Sequence, residues 1–445
     1  MKAASVASPP AGHAPARSPL ARILANTGWL IGGKGFGALC GLGYLAILTR
    51  ALGLKEFGHF SLIFGAAQAL IALAGFETWR VVVRYGARHV HQANWERFGR
   101  LGMLCGLIDA LGAVLGCLIA FIAFYGFADL LDLNTAFIDM GFAFCCAMVW
   151  ALVSAPTGMV RALHRFDRAV YVEAIVPAGR LIAAIAIWQT GPSVGRFLLA
   201  WALVDLAEAA CYWAMARRLC PRAVRLSHLR DWRLALRENP GLPAFLLVTH
   251  AGGSIDAAMR HGPLMAAGAL ASTSAAGLYR LASQLTQALG KLSALLTRSV
   301  YAEIAHSRVA ADAGGFRRLA VQTSLLAAAA GAIVVTIALL AGEPLLALIG
   351  GSGFTGAAAL LVPLSIAASL ELGSVAFEPV LHASGRARAA LACRILGMVC
   401  MATAIALLFD RGGPGIAWSV AIGSAASYLG LGATVCSTIR RKGRS

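Results

Sequence analysis

Long apolar runs recur along the whole chain, at 23–48, 57–76, 101–124, 137–160, 170–188, 196–216, 242–267, 277–298, 319–341, 356–380, 390–409 and 415–436, and they leave few folds open. About twenty helical residues rise roughly 30 Å, the thickness of a bilayer's hydrocarbon core. Inside lipid every backbone N–H and C=O needs a partner within the protein, so spanning segments are helices or closed barrels, and runs of this length predict helices. The expected fold is all-α and integral to the membrane, with about twelve transmembrane helices. Composition agrees, since 59% of the 445 residues are hydrophobic and only 13% charged, far from a soluble domain.

The remaining charges are unevenly placed. Lys and Arg number 38 against 20 Asp and Glu, a formal net charge of +18, but the basic residues fall in short clusters between apolar runs. Their first meaning is topological, and no nucleic-acid partner is expected. One set of connections carries Arg80, Arg84, Arg88, Arg97 and Arg100, further arginines at 161–168, seven between 217 and 237, and more at 308–318 and 386–394. The other set carries Arg50, Lys55, Arg196 and Arg411. By the positive-inside rule both termini are cytoplasmic and the helix number is even. Most of the ten cysteines sit inside apolar runs without zinc-site spacing, so no disulfide, metal or cofactor is expected.

A weak internal repeat divides the chain. Phe57 to Leu70 (FGHFSLIFGAAQAL) aligns with Ala276 to Leu289 (AGLYRLASQLTQAL) at an offset of 219, matching Gly58 to Gly277 and Leu62 to Leu281. Leu163-His164 and Arg168-Ala169 align with Leu381-His382 and Arg386-Ala387 at 218. Such spacing predicts two six-helix bundles related by an axis along the membrane normal. The expected organisation is a disordered cytoplasmic tail at 1–22, an N-terminal lobe at 23–215, a basic cytoplasmic linker at 216–240, a C-terminal lobe at 241–437 and a basic tail at 438–445.

Within the apolar runs the ionisable residues stand out. Along the eighth run Arg280, Gln284, Gln287, Lys291 and Arg298 share one helical face. Arg280 and Lys291 would lie about 16 Å apart along the axis, with Arg298 about 10 Å further. A cation at such depth is either paired across helices or lines a hydrated cavity that receives an anion. Lys34, Arg180, Glu173, Asp205, Glu208, Asp256, Arg260, Glu371 and Glu378 complete the set. Asp256 and Arg260, four apart, predict a mutual pair, and Glu173 and Arg180 permit another across Pro177. Asp205 or Glu208 can answer Arg180 equally well, and Glu371 and Glu378 can answer Arg280 or Lys291. The glycine-rich first run predicts either close packing or a helix that bends. No nucleophile, paired-carboxylate or phosphate-loop arrangement stands out, so the chain is not expected to be an enzyme.

The segment LTRALGLKEFGHFSL after the first run resembles the ARxLGxxxFGxxSL signature of the polysaccharide and O-antigen flippases, in the multidrug, oligosaccharidyl-lipid and polysaccharide exporter superfamily. RALHRFDRA and AGLYRLASQL are similar to further positions of that family. The resemblance implies two six-helix bundles around a central cleft, alternating access, and a polyprenyl-diphosphate-linked oligosaccharide carried to the periplasmic leaflet of a bacterial inner membrane. It implies a monomer, working beside other polysaccharide-assembly proteins. Lys34, Arg180, Arg280, Gln284, Gln287, Lys291 and Arg298 would then contact the passenger, while Asp205, Glu208, Asp256, Arg260, Glu371 and Glu378 would serve as coupling or structural charges. The rivals are a multidrug antiporter, whose expected first-helix acid is replaced here by Lys34, and a membrane enzyme acting on polyprenyl-linked sugars, whose expected large periplasmic loop is missing.

Overall fold

The computed structural model describes residues 19–126, 134–306, 313–374, 377, 381 and 386–442, with side chains from Gly35 onward except at 166, 291–324, 326, 327, 387 and 438–442. Among the described residues all regular structure is helical. The first half comprises α1 (Pro19–Ala74), α2 (Thr78–His91), α3 (Trp95–Gly126), α4 (Ile138–Trp150), α5 (Ser154–Ala162), α6 (Phe166–Glu173), α7 (Ile175–Thr190) and α8 (Val194–Leu219). A short α9 (Trp232–Glu238) leads to α10 (Leu242–Leu270), α11 (Thr273–His306), α12 (Ala313–Gly350), α13 (Ala358–Ser374), α14 (Ala387–Leu408) and α15 (Gly412–Lys442). Among the described residues eight stretches are long and apolar enough to cross a membrane, two of them, Gly35–His91 and Arg388–Ser437, spanning 57 and 50 residues. The helix α10 is not among them, because Asp256, Arg260 and His261 dilute its apolar character.

Local sequence explains the breaks. The first two predicted runs form one long helix that is bent at Gly53, where φ is 72° and ψ 177°, a conformation that a residue without Cβ adopts at little cost. The fifth run divides into α6 and α7 at Ala174. Pro177 lacks the N–H that would bond the carbonyl of Glu173, so the helical ladder is interrupted there.

The two halves meet along α1, which packs against α10, α11 and α12. Gly58 and Gly277, the residues matched in the repeat, face each other at this seam. A Cβ on Gly277 would lie 3.1 Å from the Leu54 carbonyl oxygen and 3.3 Å from the Gly58 Cα, and one on Gly58 would collide with the Thr273 carbonyl. Leu54 and Thr273 are themselves one repeat offset apart, so the contact is reciprocal, as a pseudo-two-fold axis between the glycines requires. Beside it Phe57 meets Phe354 edge-on at 5.6 Å, and Arg50 donates to the carbonyls of Leu348 and Ile349. All of these groups lie at the arginine-poor end of the molecule.

At the arginine-rich end the chain after α8 folds back onto α2 and α3. Glu238 accepts from Arg100 at 2.6 and 3.1 Å and lies 3.3 Å from Arg97. His89 Nε2 pairs with the buried Asn239 Oδ1 at 2.9 Å.

Candidate functional site

About 9 Å along α1 from the glycine seam lies Phe64, and guanidinium groups from both halves converge on its ring. Arg180 of α7 stands 5.2 Å from the ring centroid and Arg280 of α11 stands 5.0 Å from it. Trp201 of α8 adds a second aromatic face 5.7 Å from Arg180, and Tyr44 and Phe60 pack edge-on against Trp201 at 5.5 and 5.9 Å. Facing π-systems attract cations most where water is excluded, by about 2 kcal/mol. The aromatic frame thereby holds two like charges near one another.

The two arginines differ in their partners. Arg180 is only 8% exposed, and its Nη2 donates to Asp205 Oδ2 at 2.7 Å while its Nε has no partner. Arg280 is half-buried, with Tyr44, Tyr279, Arg180 and His261 near it. Among the described residues it has no ion pair. Asp205 thus bonds Arg180, Glu208 lies near it on the same helix, and Arg280 has no ion pair among the described residues, so donor capacity is left over on the Arg280 side, as an anion with several oxygens requires.

Below Asp205 on α8 come Glu208 and Tyr212, at helical spacing on one face. Glu173 accepts from Arg161 and from the Tyr212 hydroxyl, each at 3.1 Å. Arg161 in turn lies 5.0 Å from the Trp79 ring and lines, with Glu77, Ser154, Thr157 and Gly253, a cavity of about 360 Å³ between α10 and the first half. Polar groups thus run from Arg280 towards the arginine-rich end. The expected pair of Glu173 with Arg180 is not formed. The helix is broken between them at Ala174, and each has its partner on another helix, Asp205 for Arg180 as the sequence allowed and Arg161 for Glu173.

Asp256 also departs from expectation. Its carboxylate lies 3.9 Å from Arg394 rather than pairing with Arg260, because α14 packs alongside α10 and carries Arg394 up to it. Glu371 lies near Arg394, Arg260 and Asp256, so its charge is answered within the second half and not by Arg280. Gln284 is half-buried, and Gln287 is exposed with its amide donating to Ser283 Oγ at 3.1 Å. The backbone of α11 is continuous through Lys291 and Arg298, but the side chains of Lys34, Lys291 and Arg298, and Glu378 altogether, lie outside the described residues.

Sequence reasoning missed Phe64, Trp201 and Asp109. Aromatic residues in an apolar run carry no signal of their own. Asp109 did carry one, being an acid inside the third run, and it is 7% exposed. It accepts from Thr78 Oγ1 and from the backbone N–H of Ala155, both at 2.8 Å, and so ties the starts of α2 and α5 to α3.

Comparison with known proteins follows the same lines. The inner membrane protein YghQ of Escherichia coli (strain K12) is 26% identical over 333 residues, 74% of this chain and 92% of that protein. An inward-facing multidrug resistance MATE family transporter of the MOP superfamily superposes with a TM-score of 0.70 at 14% identity, covering 91% of this chain and 96% of that one. The lipid II flippase MurJ, in an inward closed conformation, superposes at 0.65 with 10% identity, covering 92% and 87%. These likenesses establish the fold: an all-helical, multi-pass membrane transporter architecture. A sequence profile for polysaccharide biosynthesis proteins matches residues 23–301, more than half of the chain, and the chain therefore belongs to that family.

Proposed function

We propose that this protein is a flippase that carries a polyprenyl-diphosphate-linked oligosaccharide from the cytoplasmic to the periplasmic leaflet of a bacterial inner membrane, by alternating access and during polysaccharide synthesis. The arginine-rich end, with both termini, faces the cytoplasm. The observation that carries this reading is the pair Arg180 and Arg280, one from each lobe, over the Phe64 ring. A diphosphate leaving the headgroup region needs donors at depth, and guanidinium groups supply them in a bidentate geometry. Polar groups from Arg161 to Asp205 offer the glycan a wet route, while the lipid tail stays in the bilayer. Family membership and the fold shared with MurJ support the same reading.

The test is reconstitution of the full chain in proteoliposomes with a polyprenyl-diphosphate oligosaccharide, reading its exposure to a periplasm-side lectin. Arg280→Gln should fold normally and lower the flipping rate at least tenfold, while Arg280→Lys should retain more. Normal flipping by well-folded Arg280→Gln would overturn the proposal. The MATE likeness favours a second reading, a multidrug antiporter, and the same preparations distinguish it: a lipophilic cation would be pumped, and losing Arg280 would not impair its transport.

A further inference from the structure

The linker between α8 and α10 carries a surface that flipping does not use. Arg222, Arg225, Arg230, Arg233 and Arg237 are all exposed. Between them Leu226 is 78%, Trp232 40% and Leu234 42% exposed, although apolar side chains could have turned inward with Ala235. The Arg233 guanidinium stacks on Trp232 at 5.1 Å. Asp231 is the exposed acid of the segment, since Glu238 is occupied by Arg97 and Arg100. Beside the linker a cavity of about 460 Å³ is lined by Arg222 and Arg225 together with Gln92, Asn94, Trp95 and Glu96. At its rim the Glu96 carboxylate lies 3.9 Å from Arg100.

Depth decides what meets this surface. A Cβ on Gly99 would lie 2.7 Å from the Ala223 carbonyl, so the linker backbone touches α3 two residues before its apolar run begins at Leu101. Two helical residues amount to about 3 Å, and the headgroup layer beyond the hydrocarbon is about 5–7 Å thick. The linker therefore sits level with lipid phosphates rather than out in the cytosol. Basic residues interleaved with Trp and Leu at that level match an anionic leaflet.

We propose that the linker is a leaflet-binding element: its arginines engage the phosphates of anionic phospholipids, Leu226, Trp232 and Leu234 enter the headgroup boundary, and one headgroup occupies the cavity at Arg222 and Arg225. Phosphatidylglycerol is the probe. The full chain, purified in nanodiscs, is analysed for retained phosphatidylglycerol against phosphatidylcholine by native mass spectrometry. At about a fivefold contribution per surface arginine, Arg222→Gln with Arg225→Gln should weaken phosphatidylglycerol retention roughly thirtyfold, and the double Lys variant should restore it. The readout is independent of transport. Should the Gln variant fail to fold, a salt titration of the unaltered chain decides, since an electrostatic site must release the lipid as salt rises. An environment-sensitive fluorophore at Leu226→Cys should shift to the blue in phosphatidylglycerol nanodiscs only. Equal retention of the two lipids, salt-independent retention, unchanged retention by the Gln variant, full competition by soluble glycerol phosphate, or a fluorophore that stays in water would each overturn the proposal, the last leaving the surface to a soluble partner.

Discussion

Arg180 and Arg280 share a ring but should respond differently to substitution. Arg180 is buried against Asp205, and Asp205→Asn would strand its charge, lowering stability by about 3 kcal/mol. Arg280, half-buried and without an acid among the described residues, should tolerate Gln with less than about 1 kcal/mol of loss. Thermal unfolding of the two variants in one detergent checks the contrast. The surroundings of Glu371 bear on a second residue, Lys291. With Arg394 and Arg260 beside it, Glu371 already has cationic neighbours among the described residues, so Glu371→Gln should fail to rescue Lys291→Gln in melting temperature. Should rescue occur, the eighth-run lysine is a packing charge after all. That interior cations exist here was legible in the sequence, because Arg and Lys inside apolar runs cannot be overlooked. Which acid answers which cation was only partly so: Asp205 was among the partners open to Arg180 and is the one realised, whereas Arg161 for Glu173 and Arg394 for Asp256 were not foreseen. The spacing rule for helices sees only neighbours on one helix, whereas Arg180, Glu173 and Asp256 each found a partner on another.

At the scale of the helix, α1 and α11 approach so closely at the seam that one methyl group matters. Gly58→Ala would drive Cβ into the Thr273 carbonyl, backbone against backbone with no rotamer to yield, and such overpacking costs about 1–3 kcal/mol. Gly277→Ala meets its neighbours at 3.1 and 3.3 Å and should cost less. On the proposed alternating-access cycle the strain exists only while the arginine-poor ends are together, so Gly58→Ala should populate the state open at that end. Maleimide labelling of Thr49→Cys, a position buried at that end in this structure, in a cysteine-free background, faster in Gly58→Ala than in Gly277→Ala, is the expected result. Equal rates would mean that the seam does not gate that end. The repeat that aligned these glycines was legible, but its reason was not: alignment shows that two positions correspond, and only the folded chain shows that they touch.

For the whole molecule the arginine asymmetry makes a prediction of orientation. Impermeant labels should reach cysteines at Lys55 and Gly353 from outside intact cells and reach those at Arg88 and Arg230 only after the membrane is opened. Labelling of Arg230→Cys in intact cells would invert the proposed direction of transport. Charge and apolar length sufficed for the helical class, and Pro177 marked the break at Ala174, whereas the bend at Gly53 depended on backbone detail that hydropathy averages away. Speed and dwell time are then separable. Where Gly58 faces Gly277 no side chain must change rotamer as the lobes part, and the dispersion forfeited is about 0.1–0.2 kcal/mol per atom pair. The hydrogen bonds from Arg50 to the Leu348 and Ile349 carbonyls and from Thr49 to Ile349, with the buried Phe57–Phe354 contact, act instead as a latch beside the glycine joint. On the proposed alternating-access cycle, how long the protein remains shut at that end is then set by these hydrogen bonds and by the buried Phe57–Phe354 contact rather than by the glycines.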